Sequence, residues 1–296
     1  MSAAPELDQQ GRLEAITNLC HALGFNETST EAWLAAWFAD LDCLRELAKQ
    51  AGSQRVQEVF APESTVVREV LRMWMGYGRH DNEREPLIFT TDNGTCAAPD
   101  INKTDAYSIC SPGLNDSPDL EKFWNTLALF WSPSKVTAWR NATRAIDSCA
   151  NYITFGLHVG AYWDHGMFCL KPIAESGDGT WLTADMYWMP NPYGVVSMSL
   201  CSRPSLPSGL ASAPNQGKIY NANRRRITSG YRITMTTHDP VEMPLASVDL
   251  LELRWVLDRI ARLSGVDEKY GHEDWEDENE VDAAATPLPR QNDNSI

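Results

Sequence analysis

Tyr107, Asn151, His158 and His165 are side chains that could hydrogen-bond a polarised carbonyl or carry a proton, and the aromatic residues Trp131, Tyr152, Phe155, Tyr162 and Trp163 could wall a pocket around them. Such a set suits an uncharged organic ligand better than a phosphate. The competing reading is that the aromatics are simply core. Two other features invite chemistry. Arg224-Arg-Arg226, beside Asn221 and Asn223, could grip an anion, but in an acidic chain it reads as a solvated loop paired with Asp or Glu. His238-Asp-Pro240 resembles part of a catalytic pair and reads as structural. The seven cysteines are scattered and form no C-x-x-C pair, which argues against a zinc knuckle or disulfide framework and for reduced thiols in an intracellular, cytoplasmic setting.

The elements that must position these residues follow from periodicity. Leu13, Ile16, Leu19 and Leu23 recur at helical spacing. Ser29 or Thr30 caps a second helix carrying Trp33, Leu34, Trp37, Leu41, Leu44 and Leu47, with Gly52 as its stop. Val66 to Trp74 predicts a third helix, ended by Gly76-Tyr-Gly. Residues 90–118 are rich in turn signals and hold at most short strands. Helices are then expected over Leu120–Phe130 and Pro133–Ala145, and a short one near Val159–His165 between strands at Tyr152–Phe155 and Met167–Leu170. Further strands fall at Trp181–Trp188 and Tyr231–Thr237, and a final helix spans Pro244–Gly265. The fold class is α+β: a helical region over residues 1–89, a helix-rich core with a small mixed or antiparallel sheet over 90–266, and an acidic tail over 267–296 expected to be disordered.

The charge of −15 repels phosphate backbones and argues against a nucleic-acid partner, although the stretch Asp267–Asp282 carries much of it. The sequence starts without a basic, apolar leader and has no run of about 18 apolar residues, so neither export nor a membrane partner is expected. Asn-x-Ser/Thr sequons such as those at Asn26, Asn93, Asn102 and Asn141 then carry no functional weight.

Three stretches resemble the fungal HNH-nuclease-like family. They are Phe123-Trp-Asn-Thr-Leu-Ala-Leu-Phe-Trp131 with Trp139-Arg-Asn, Asn151-Tyr-Ile-Thr-Phe155 followed by Ala161-Tyr-Trp-Asp-His-Gly-Met-Phe-Cys-Leu-Lys-Pro-Ile173, and Ser229–Pro240 leading into Pro244–Gly265. The resemblance runs from about residue 91 to residue 268 and implies a ββα-metal element. In it, one histidine activates water and another holds a divalent cation. At the place of the first histidine this chain has Asp105-Ala-Tyr107-Ser-Ile, and a phenol of ordinary pKa about 10 is a poor base at neutral pH. The family asparagine is kept as Asn151. Nine residues on, where the metal-binding histidine belongs, stands Gly160. On a helix His158 points about 200° away from Gly160 and His165 about 140° the other way, so neither substitutes directly.

The resemblance, together with these losses, implies a degenerate, nuclease-inactive member. Its first expected use is a cofactor-free, metal-free enzyme of fungal secondary metabolism, performing a cyclisation, isomerisation or pericyclic (Diels–Alder-type) step on an apolar small molecule. Tyr107, Asn151, His158 and His165 would be catalytic there, and Trp131, Phe155, Gly160, Tyr162 and Trp163 would bind substrate. The alternatives are a non-catalytic protein-interaction scaffold and an endonuclease whose metal site is displaced onto His158 or His165. A closed apolar cavity at Tyr107 and Asn151 would favour the enzyme, and a collapsed site the scaffold. Oligomeric state is not written in the sequence.

Overall fold

The computed structural model describes residues 4–76, 104–221 and 223–266. The 89/90 boundary, most of the turn-rich stretch before residue 104 and the acidic tail lie outside them. The fold is α+β, with small antiparallel sheets set among helices.

A 3-10 turn at Pro5–Asp8 precedes α1 (Arg12–Leu23), which stops at Gly24, whose left-handed φ of 79° suits a residue without Cβ. The Ser29 hydroxyl then accepts the N–H of Ala32 and opens α2 (Thr30–Phe38). Every residue of α2 is buried, so it forms the axis of the N-terminal half. Its Trp33 and Trp37 each bury their indole and satisfy the ring N–H on the carbonyls of Ser202 and Leu200. Rings of this size contribute about 4–6 kcal/mol of gross apolar transfer each.

The single helix expected from Ser29 to Leu47 is instead two. The chain turns extended at Ala39 and Asp40 before α3 (Leu41–Lys49). Tertiary partners capture the break. The buried Arg12 guanidinium donates to the carbonyls of Trp37 and Ala39, Asp40 N–H donates to the Phe130 carbonyl, and the Asp40 carboxylate takes Ser132 N–H and Lys135. A further helix, α4 (Gln54–Phe60), is capped by Ser53 and had no distinct periodic signal. The third predicted helix is α5 (Val66–Gly76).

After β1 (Glu27–Ser29), the strands are β2 (Thr104–Ser108), β3 (Tyr152–Gly156), β4 (Phe168–Glu175), β5 (Trp181–Trp188), β6 (Ser197–Ser199) and β7 (Tyr231–Thr236). They form three antiparallel sheets: β1–β6, β2–β3, and β4–β5–β7 with a bulge between Pro172 and Ala174. Helices α6 (Leu120–Phe130) and α7 (Pro133–Thr143) separate β2 from β3, α8 (Leu157–Asp164) follows β3, and α9 (Val248–Ser264) closes the described chain with Ser247 as its cap. Helix α9 packs on β4, α2 and α7, so one hydrophobic cluster runs through both halves. No helix among the described residues is long and apolar enough to cross a membrane.

Candidate functional site

Strand β2 pairs with β3 in the register Tyr107↔Ile153 and Asp105↔Phe155, and α8 begins directly after β3. The site is therefore two antiparallel strands and the helix laid against them. Helix α8 buries Val159, Gly160 and Trp163, one helical face, and leaves His158 exposed.

At the centre, the ring of Tyr107 lies on Gly160. A Cβ added to Gly160 would stand 1.8 Å from Tyr107 Cζ and 2.1 Å from one Cε, far inside contact distance. Glycine inside a helix costs about 1 kcal/mol relative to alanine, and the close approach of this ring is its reason here. The phenol fills the place that a side chain at 160 would occupy, so glycine at this position opens no extra room. Tyr107 is half-buried, its ring tilted against Phe155 at 6.1 Å, and its hydroxyl donates to the Leu157 carbonyl at 3.4 Å.

Asn151 is fully buried. Its amide donates to the Cys110 carbonyl at 2.8 Å and accepts the Cys110 N–H at 2.9 Å, while its own backbone carbonyl takes Ile109 N–H. The side chain is spent extending the β2–β3 ladder by one pair and offers nothing to a substrate. Burial pushes the adjacent Cys110 thiol up to about 12, which keeps it protonated and unreactive.

His165 caps the end of α8, exposed, with Nδ1 at 2.8 Å from the Ala161 carbonyl. Phe155 and Trp163 are fully buried and pack on each other and on Phe168. Tyr162 lies against Trp188 and over Gly217, where a Cβ would meet its hydroxyl at 2.5 Å. Trp131 sits at the α6–α7 corner against Phe130 and Trp139 and makes none of these ring contacts. The structure therefore brings Tyr107, Phe155, Gly160 and Trp163 together, places the two histidines outside, and leaves Trp131 in another part of the core.

The residue that sequence reading missed is Arg254. Nearly buried on α9, it donates to the carbonyls of Ser108, Ile109 and Trp163 at 2.8, 3.1 and 2.7 Å and pairs with Asp258 at 3.0 Å. Its guanidinium also stacks 3.6 Å from the centroid of the Trp163 ring. Trp163 Nε1 shares the Ser108 carbonyl, and Trp74 Nε1 donates to Asp258. One arginine thus ties the end of β2, the end of α8 and α5 to α9. The available signal was a charged pair spaced i, i+4 inside an apolar helical stripe.

Two clefts of about 360 and 470 Å³ lie elsewhere, the first around Leu7, Asp8 and Arg203–Leu206, the second around Glu6, Arg12, Asp40–Cys43 and Arg45. No three His, Cys, Asp or Glu side chains come together to hold a metal among the described residues. The His238-Asp239 pair belongs to a turn: the Asp239 carboxylate accepts the N–H groups of Val241 and Glu242. The basic triplet departs from expectation, since Arg224, Arg225 and Arg226 are exposed and pair with no carboxylate among the described residues. Comparison with family models, curated proteins and solved structures finds no match in any of the three.

Proposed function

We propose that this chain is a nuclease-inactive relative of the HNH-like proteins that serves as a non-catalytic protein-interaction scaffold. The observation that carries the reading is the Tyr107 ring resting on Gly160, which leaves no donor and no volume where a metal-binding histidine would stand. Among the described residues no three His, Cys, Asp or Glu side chains gather there, so the donor set does not fit a divalent cation. Asn151 supports the same reading, because its amide is committed to Cys110 rather than turned toward a pocket. The β2–β3–α8 order is the arrangement a ββα remnant would have, with α6 and α7 inserted between its strands.

The second reading is the cofactor-free enzyme of secondary metabolism acting on an apolar small molecule. One observation favours it: Tyr107 is not fully buried, and its hydroxyl reaches the Leu157 carbonyl, which precedes exposed His158 in the chain. If Tyr107 stabilises developing charge on a carbonyl, Tyr107→Phe lowers turnover by up to about 100-fold.

The loss of nuclease chemistry, common to both readings, is tested by incubating the full chain with supercoiled plasmid and Mg²⁺ or Mn²⁺ while following the thermal midpoint. Both readings expect no cleavage and no cation-dependent rise, since a ligand stabilises only by binding the folded state, and the Tyr107→Phe assay separates them. Cleavage that EDTA and His158→Ala both abolish would establish a displaced metal site and reject the proposal.

A further inference from the structure

The charge of this protein is unevenly placed. No Asp or Glu occurs between Asp185 and Asp239, a run of 53 residues in a chain of net charge −15. Within that run a short hairpin is closed by the Tyr220↔Arg226 bridge and by the bond from Ile227 N–H to the Ile219 carbonyl. Asn221 shapes its tip by accepting the N–H groups of Asn223 and Arg225, and Arg224 takes a left-handed φ of 56°. Ile219 and Ile227 are buried and anchor the base, whose Ile227 carbonyl takes the Trp188 indole N–H. The hairpin carries Lys218, Arg224, Arg225 and Arg226, and Tyr220 is 49% exposed. The neighbouring cations are used: Arg203 pairs with Asp8 and Arg232 with Asp185. The four on the hairpin pair with no carboxylate among the described residues.

We infer that this hairpin is the docking surface for the chain's own acidic segment, Asp267–Asp282. That segment holds nine Asp and Glu against Lys269 alone, so its charge complements the hairpin. Its start is close by. Gly265 lies against Pro192, and Tyr193 N–H bonds the Leu263 carbonyl, so the end of α9 sits four residues along the chain from Trp188. Four residues span at most about 14 Å, and with the side-chain contacts at either end the gap to the hairpin base is no more than about 25 Å. Sixteen residues can extend about 50 Å, twice that gap. Tethering makes the encounter intramolecular, at an effective concentration in the millimolar range, which lets individually weak exposed ion pairs add. A nucleic acid is the less suited occupant: it brings phosphates to a protein of net charge −15, and the resident acidic segment competes with it for the same cations. The inference does not depend on how the Tyr107 site is used.

The test is zero-length carbodiimide crosslinking of the full chain, using a mixture of light and heavy isotope-labelled protein, with peptides mapped by mass spectrometry. Lys218 is expected to link to acids of Asp267–Asp282 within one molecule. The yield should fall at least about 5-fold near 0.5 M salt, where screening length shrinks to about 4 Å. The charge reversal Arg224→Glu, Arg225→Glu, Arg226→Glu keeps Lys218 and should produce a similar fall, with circular dichroism confirming that the fold is retained. Links only between light and heavy copies, links indifferent to salt and charge reversal, or no link at all would overturn the inference. So would photocrosslinking of Tyr220 to a single-stranded oligonucleotide in a chain whose Lys218 links to none of those acids.

Discussion

Helix α8 lies against the β2–β3 pair and α9 reaches the end of β2 through Arg254, yet the two helices place charge in opposite ways. Helix α8 turns its histidine outward and its glycine and tryptophan inward, whereas α9 brings Arg254, Asp258, Arg259 and Arg262 inside. Two of these buried arginines are matched in full view, Arg254 and Arg259. Arg254 meets three carbonyls and Asp258. Arg259 donates to the Trp255 carbonyl and to Glu6 and lies over the rings of Phe38 and Trp255. The lesson is that residues of catalytic type can be peripheral, while the polar groups at the centre hold elements together.

The largest test of that contrast is Arg254→Met. It removes the cation beside the buried Asp258 carboxylate and one donor each from the carbonyls of Ser108, Ile109 and Trp163, and stability measured by urea unfolding should fall by about 3–5 kcal/mol. A loss below about 1 kcal/mol would show that water replaces the guanidinium and that the clamp is dispensable.

Next in size is Gly160→Ala. The added methyl must displace the Tyr107 ring, an overpacking cost of about 1–3 kcal/mol. In the Tyr107→Ala background the same change should cost far less, with a coupling of at least about 1 kcal/mol in the double-mutant cycle. Additive effects would mean that the ring does not fill the Gly160 site in solution.

The smallest effect is acid sensitivity of the Glu6–Arg259 pair. Burial alone would raise the Glu6 carboxyl, but attraction and hydrogen bonding by Arg259 outweigh it and hold its pKa below the ordinary 4.5. A depressed folded-state pKa stabilises above the unfolded value, and that stability is lost as pH falls through the folded one. Glu6→Gln should therefore flatten the decline of the thermal midpoint below pH 4.5, read against the parent chain. An unchanged acid limb would place the sensitivity elsewhere.

Much of the element order was legible because hydrophobic periodicity is a local property. Leu120–Phe130, the helix expected over Pro133–Ala145 and found at Pro133–Thr143, Trp181–Trp188 and the final helix follow from spacing, and of the two expected caps, Ser29 and Thr30, Ser29 is the one used. The break at Ala39-Asp40 was not legible, since it depends on Arg12, Phe130, Ser132 and Lys135, which are distant in sequence. The pairing of Asn151 with Cys110 was equally hidden: an asparagine that bonds a backbone 41 residues away looks the same in sequence as one facing a substrate.

By itself, then, the sequence determined the α+β class, the helix and strand periods, and the lack of a histidine at positions 107 and 160. Only the tertiary structure decided that Tyr107 occupies the space over Gly160, that His158 and His165 are exposed, and that Arg254 ties the ends of β2 and α8 to α9. The physical reason is that periodicity and residue type are set along the chain, whereas the volume a side chain finds and the partners its polar atoms meet are set by segments folded against it from far away.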